Sequence, residues 1–452
     1  MKIKLFTILT IFSVVYNNIV FASEAELQAQ IKALESKISR LEKLLDKNTK
    51  ADQQVVSETP VTPVAQITQV EEKSKAINNA VTIKMKPSPK FETIDGSYKF
   101  AFSGLLQTDY VNYIKNQSTH NDGAYIKNAR LGVNGIINND WFYLLENNFA
   151  GNRSKIVNAI ISYNGFKPFS ISAGQFYEKF GFDNMISPKN TTFMESAFVS
   201  IFAPSKRLGI GLNTYGQNWT ANLGINSNSQ AYNISNNNDE FKTISSKVTF
   251  APLNDNNKVI HLGASGIFGK PKRSDSVYKI VAGTESSISS SLIDSGQIKN
   301  IKNIKIAGIE GMAQYNSFSL QAEYAFNDLT GKISSIKNHK AAYIQAAWIL
   351  TGESRQYDLA GSNFGGVSPL RPLNINEGGL GAWEIATRYN YLDLGKNNSN
   401  FGGKLGNIGF ALNWYPNDYI KFMSNYIIVN SKHNNKVKKN PNLVMLRAQF
   451  AF

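Results

Sequence analysis

The sequence predicts an all-β transmembrane barrel of about sixteen antiparallel strands, preceded by a short N-terminal α-helical coiled coil. Three observations carry this. The last residues alternate strictly, with Val444, Leu446, Ala448, Phe450 and Phe452 on one side and Leu443, Met445, Arg447, Gln449 and Ala451 on the other. Strand side chains point to opposite faces with period two, so one face is apolar, and it finishes in Phe as the closing strand of an outer-membrane barrel does. Similar alternation recurs along the chain. Beyond the N-terminus, no run approaches the roughly 20 apolar residues that a spanning helix needs.

In chain order, Lys2 and Lys4 precede the apolar run Leu5 to Val15, and Val20-Phe21-Ala22 has the small residues of a cleavage site. Residues 1–22 therefore read as a signal peptide. Leu27, Ile31, Leu34, Ile38, Leu41 and Leu45 recur at alternating four- and three-residue steps with charges between them, the pattern of a coiled coil over 23–47. Residues 48–98 lack sustained periodicity and read as a linker.

The alternating segments begin at Lys99. They are 99–114, 123–137, 140–151, 154–165 and 168–175, then 205–215, 217–229, 239–251, 258–269, 297–316, 317–331 and 338–351, and last 379–395, 403–416, 417–430 and 441–452. Sixteen is an even number, as a bacterial barrel with both termini on one side requires. Tight turns at Asn138-Asn139, Gly165 to Lys167, Gly216 and Pro416-Asn417 alternate with longer polar loops. Trp141, Tyr163, Phe166, Phe169, Trp219, Trp414, Tyr415 and Tyr419 cluster near the turns, as a membrane-interface girdle does. Three connections are too long for turns. The one at about 176–204 carries Phe180, Met185, Phe193, Met194, Phe198 and Phe202 and is expected to fold into the lumen as a constriction. Residues 270–295, rich in Ser, read as an exposed surface loop, and 353–378, with Arg355 and Arg371, as a segment folded over the mouth.

The net charge of +15 calls for an anionic partner, and export argues against nucleic acid. Placing large apolar residues toward lipid leaves Arg130, Arg207, Lys247, Arg388, Lys421 and Arg447 inside the barrel, with Asp109, Glu146, Glu323 and Glu384. A lipid-facing Arg or Lys at mid-depth costs roughly 2–4 kcal/mol, which favours this assignment. Inside, such groups either pair with carboxylates and stiffen the wall or raise the local anion concentration. Lys179, Lys189 and Lys206 are the basic candidates at the constriction, with Glu178, Asp183 and Glu195 opposing them. No Gly-x-Ser-x-Gly elbow occurs, His120, His261, His339 and His433 are scattered, and there is no cysteine. Neither an enzyme nor a metal site nor a cofactor is expected.

Several stretches resemble the phosphate-selective porin O/P family. Ala129-Arg130-Leu131-Gly132-Val133, Gly174-Gln175 with Lys179-Phe180-Gly181, and Thr192-Phe193-Met194-Glu195 before Phe202-Ala203-Pro204 carry the likeness in the first half. Leu350 to Arg355, Gly381-Ala382-Trp383-Glu384, Arg388 to Leu394 and Leu412 to Pro416 continue it. The resemblance covers roughly Phe100 to Phe452 and implies a trimeric, sixteen-stranded outer-membrane porin passing small anions such as phosphate along basic pore residues. Leu105, Asn128 and Leu144 stand where the family pattern is basic. The expectation is thus an anion-preferring porin, a homotrimer in outer-membrane lipid, with the coiled coil in the periplasm and available to the cell wall. A general diffusion porin and a barrel-anchored surface protein are the alternatives.

Overall fold

The computed structural model describes residues 80–452 apart from 86–87, 115–120, 152–153, 205, 228–240, 256, 272–276, 332–336, 397–400 and 433–439. The signal peptide and coiled coil fall outside the described residues. So does most of the linker, but its end is not featureless. Val81–Lys84 and Lys90–Thr93 form a hairpin that pairs with the first barrel strand, Lys90 opposite Ala101 and Glu92 opposite Lys99. Glu92 holds it through Lys84, Lys90 and Lys99. These charges hide a strand from a search for apolar alternation.

Sixteen long strands follow among the described residues: β1 (Lys99–Tyr113), β2 (Gly123–Ile137), β3 (Trp141–Asn148) and β4 (Lys155–Tyr163). Next come β5 (Phe169–Phe176), β6 (Arg207–Tyr215), β7 (Trp219–Asn226) and β8 (Phe241–Asp255). The second half has β9 (Lys258–Pro271), β10 (Ile301–Tyr315), β11 (Phe318–Gly331) and β12 (Lys337–Ile349). It ends with β13 (Ala382–Lys396), β14 (Gly402–Tyr415), β15 (Ile420–Lys432) and β16 (Asn442–Ala451). Each pairs antiparallel with the next, and β16 closes on β1 with Arg447 opposite Asp109. Closure satisfies every ladder without leaving an edge, which a sheet in hydrocarbon requires. At the seam Gly104 and Phe452 exchange both backbone hydrogen bonds, and the Phe452 ring occupies the space a Gly104 side chain would need.

The period-two pattern separates the faces. Leu106, Tyr110, Leu131, Ile210, Ile309 and Phe410 are exposed on the outside, while Gln107, Asp109, Glu323 and Asn407 are buried inside. One rim has short turns. Asn138, Asn139 and Asn316 take positive φ there, a conformation Asn tolerates better than most residues. Trp141, Tyr163 and Phe166 cluster at this rim, and Trp383, Trp414 and Phe422 stack there at 5.5 Å between ring centroids. Tyr415 does not join the girdle. It is one step out of phase with Trp414, points inward and donates to Glu384 at 2.7 Å.

Two expected surface segments lie inside. In the β9–β10 loop, Ile280, Ala282, Thr284 and Ile293 are buried, and Thr284 meets Tyr113 at 2.8 Å. Its serines suggested exposure, but they are flanked by apolar residues, Ile280 and Ala282 on one side and Ile293 on the other, that enter the core. The β12–β13 segment leaves from the short-turn rim, not from the long-loop mouth, and also turns into the barrel, where Arg355 and Phe364 are buried.

Candidate functional site: a half-filled lumen

The β5–β6 loop divides the lumen unequally. Its Phe180, Phe193, Met194, Phe198 and Phe202 pack with buried side chains of the β9–β16 wall such as Ile306, Tyr343 and Met423. Apolar burial brings the loop to this side, and polar wall residues then register it. Glu323 accepts the backbone N–H of Phe182 at 2.9 Å and of Asp183 at 2.7 Å. Asn425 and Asn390 accept those of Met194 and Phe198. Buried loop amides need such partners.

The opposite wall leaves a hollow of about 380 Å³, because its inward positions are small: Ser162, Ser170, Ser172, Gly211 and Gly224 among them. Phe142, Phe176 and Tyr177 line the same hollow with Lys179 and Asn158. On the long-loop side, a second cavity of about 540 Å³ lies between the β5–β6 and β9–β10 loops, with Glu195, Ser200, Glu285 and Ser287 in its lining. Tyr177 borders both cavities.

The nine basic residues anticipated from the sequence fall into two groups. Five have carboxylate partners. Arg447 makes a bidentate pair with Asp109 at 2.7 Å, and Arg388 pairs with Glu285 at 2.5 Å while lying over the Phe193 ring. Lys247 meets Glu310 at 2.7 Å and donates to the Gly181 carbonyl at the same distance. Arg207 meets Glu178 at 3.3 Å, and Arg130 approaches Glu146 at 3.8 Å. These are wall and loop braces, and their charge is spent locally.

Four lysines have no carboxylate within ion-pair distance among the described residues: Lys179, Lys189, Lys206 and Lys421. Lys206 donates to Asn158 at 2.8 Å and lies 4.5 Å from the Tyr177 ring centroid. Burial pushes its amine down to about 7, with Glu146 opposing and Arg130 reinforcing the shift. Burial likewise takes Lys179 down to about 8, with Lys247 adding to it and Asp358 opposing. Lys189 and Lys421 line a third cavity of about 630 Å³ on the short-turn side. Lys421 donates to the Thr191 carbonyl at 2.5 Å, and Lys189 is exposed. Of the expected opposing acids, Asp183 instead accepts from Ala197 N–H and Ser200 within the loop, and Glu195 pairs with Lys127 at 2.6 Å.

Arg355 is the buried cation that strand periodicity could not place. It donates to the Asn190 carbonyl, to Thr192 and to Glu384, clamping the β12–β13 segment to the β5–β6 loop. Tyr357 beside it meets His261 at 2.6 Å, and His261 contacts Glu310 at 2.9 Å. His261 is thus part of the brace around Lys247.

A closed sixteen-strand barrel with an inward loop, a hollow of about 380 Å³, and lysines that have no carboxylate partner among the described residues is the architecture of a channel. The family model described as phosphate-selective porin O and P matches residues 100–452. The chain belongs to that family. Porin O of Pseudomonas aeruginosa is 26% identical over 393 residues, covering 77% of this chain and 86% of that protein. Among solved structures, the trimer form of the outer membrane protein OmpT of Vibrio cholerae aligns with a TM-score of 0.51 at 9% identity, over 79% of this chain and 100% of the other. An anion-selective porin from Comamonas acidovorans aligns with a TM-score of 0.50 at 10% identity, over 78% and 100%. At these identities the two structures speak to the fold. Family and fold together make this porin an outer-membrane channel.

Proposed function

We propose that the porin conducts small anions through the unfilled half of its lumen, from the cavity between the two inward loops, past Tyr177, Lys206 and Lys179, into the hollow bounded by β3–β8. One observation carries this reading: among the described residues Lys179, which lines the hollow, and Lys206, which lies over the Tyr177 ring bordering both cavities, have no carboxylate partner, while the wall cations Arg388, Arg447 and Lys247 are neutralised. Uncompensated amines in a narrow channel concentrate anions, and isolated amines bind them weakly enough to release them. The phosphate selectivity in the family's description and the anion selectivity of the Comamonas relative support the same preference.

The assembly we propose is a homotrimer in outer-membrane lipid, supported by the trimeric Vibrio relative. Residues 1–22 would act as signal peptide and 23–47 as a periplasmic coiled coil able to meet the cell wall.

The test is a reversal-potential measurement in a KCl gradient across planar bilayers. The expected value lies on the anion side and moves toward zero in Lys179→Met with Lys206→Met. A near-zero wild-type potential would favour the weakly selective diffusion porin, for which the paired wall cations argue. Folded protein that gives no current would overturn the channel.

A further inference from the structure

We infer that the anions suited to this pore carry a hydroxylated organic body, with sugar monophosphates as the class, and that bare inorganic phosphate is the poorer ligand. This rests on the anion-channel reading and names its substrate.

Three features of the hollow lead there. First, it offers one amine of its own, Lys179, which can seat a single phosphate group. Second, its other polar groups are neutral, including Asn158, Ser162, Ser170 and Ser172. Hydroxyl and carboxamide groups both donate and accept, and so match sugar hydroxyls, whereas an ionised phosphate offers mainly acceptors. Third, Phe142 and Phe176 line the hollow beside Tyr177. An aromatic face is negative and repels an anion, but it packs well against the C–H face of a pyranose ring. A solute with its phosphate at Lys179 and its ring among the serines and aromatics uses all three. Inorganic phosphate uses the first and meets the third unfavourably. The space of about 380 Å³ is within the range of small-molecule pockets.

The experiment records block of chloride current through single channels of the full-length protein by glucose 6-phosphate, inorganic phosphate and glucose, each titrated at fixed KCl. Glucose 6-phosphate is expected to block at a concentration about tenfold lower than inorganic phosphate, with glucose weaker than both. Phe142→Leu and Phe176→Leu keep apolar bulk but remove a ring, and each should bring the two phosphates closer together. Equal or stronger block by inorganic phosphate overturns the inference while an anion-side reversal potential leaves the anion channel standing. Block by glucose as strong as by glucose 6-phosphate overturns it too, since the charge then contributes nothing. Loss of anion preference in KCl alone would instead overturn the reading beneath it.

Discussion

One nitrogen of Arg355 donates to Glu384 at 2.7 Å and to Thr192 at 2.8 Å, so a single guanidinium joins the β12–β13 segment, the barrel wall and the β5–β6 loop. Glu384 also accepts from Tyr415 and Asn413, and the whole group is buried. Two segments entering from opposite rims are thereby locked to each other inside the pore. Removing one member of a buried, hydrogen-bonded pair leaves the other charge uncompensated, a loss of about 3–5 kcal/mol. Arg355→Ala should lower the unfolding midpoint in detergent and make single-channel current noisier as the loop loosens. Arg371→Ala, at an exposed position of the same segment, should do neither.

At the seam, Asp109 and Arg447 face each other across β1 and β16 and form a bidentate pair. Asp109→Leu or Arg447→Leu alone should destabilise the folded barrel by about 3–5 kcal/mol, read as a lower temperature for the shift to the unfolded band on unheated gels. The double variant should recover much of the loss, because a buried ion pair and an apolar pair of similar volume are often equally stable.

Selectivity should depend on pH through Lys206 and Lys179, whose amines burial takes down to about 7 and about 8. An amine is charged below its pKa. Both charges are therefore present at about pH 6 and mostly gone by about pH 9. Anion preference in the KCl gradient should fall as pH rises through that window. In the Lys179→Met, Lys206→Met variant the reversal potential should stay flat.

Bulk added to the hollow should restrict current without harming the fold. Asn213 points into the cavity from β6, and its neighbour Leu212 faces outward. Asn213→Phe should reduce conductance severalfold, while Leu212→Phe should leave it unchanged; equal conductance in the two would show that current takes another route.

Sequence periodicity located all sixteen strands to within a few residues, and with them the inward face of Arg130, Arg207, Lys247, Arg388, Lys421 and Arg447. That is a local property: alternation is written residue by residue, and a charge at lipid depth is penalised wherever it occurs. The inward course of the β5–β6 loop was also legible, because Phe180, Met185, Phe193, Met194, Phe198 and Phe202 in a polar loop must be buried somewhere. The signal for the hollow was present but quieter. Ser162, Ser170, Ser172, Gly211 and Gly224 share inward parity, and small inward residues on successive strands mark where a lumen stays open.

Partnership was decided by the tertiary structure. Nothing within a strand says that Arg388 will meet Glu285 from a distant loop while Lys179 has no carboxylate at ion-pair distance among the described residues, since such pairings depend on how loops close across the barrel. The same holds for the segment carrying Arg355, which turns inward from the short-turn rim because Glu384 and the loop carbonyl of Asn190 await it there. The sequence by itself determined a barrel with basic residues inside. Only the closed structure divided those residues into braces, whose charge is cancelled in low dielectric, and lysines that have no carboxylate partner among the described residues.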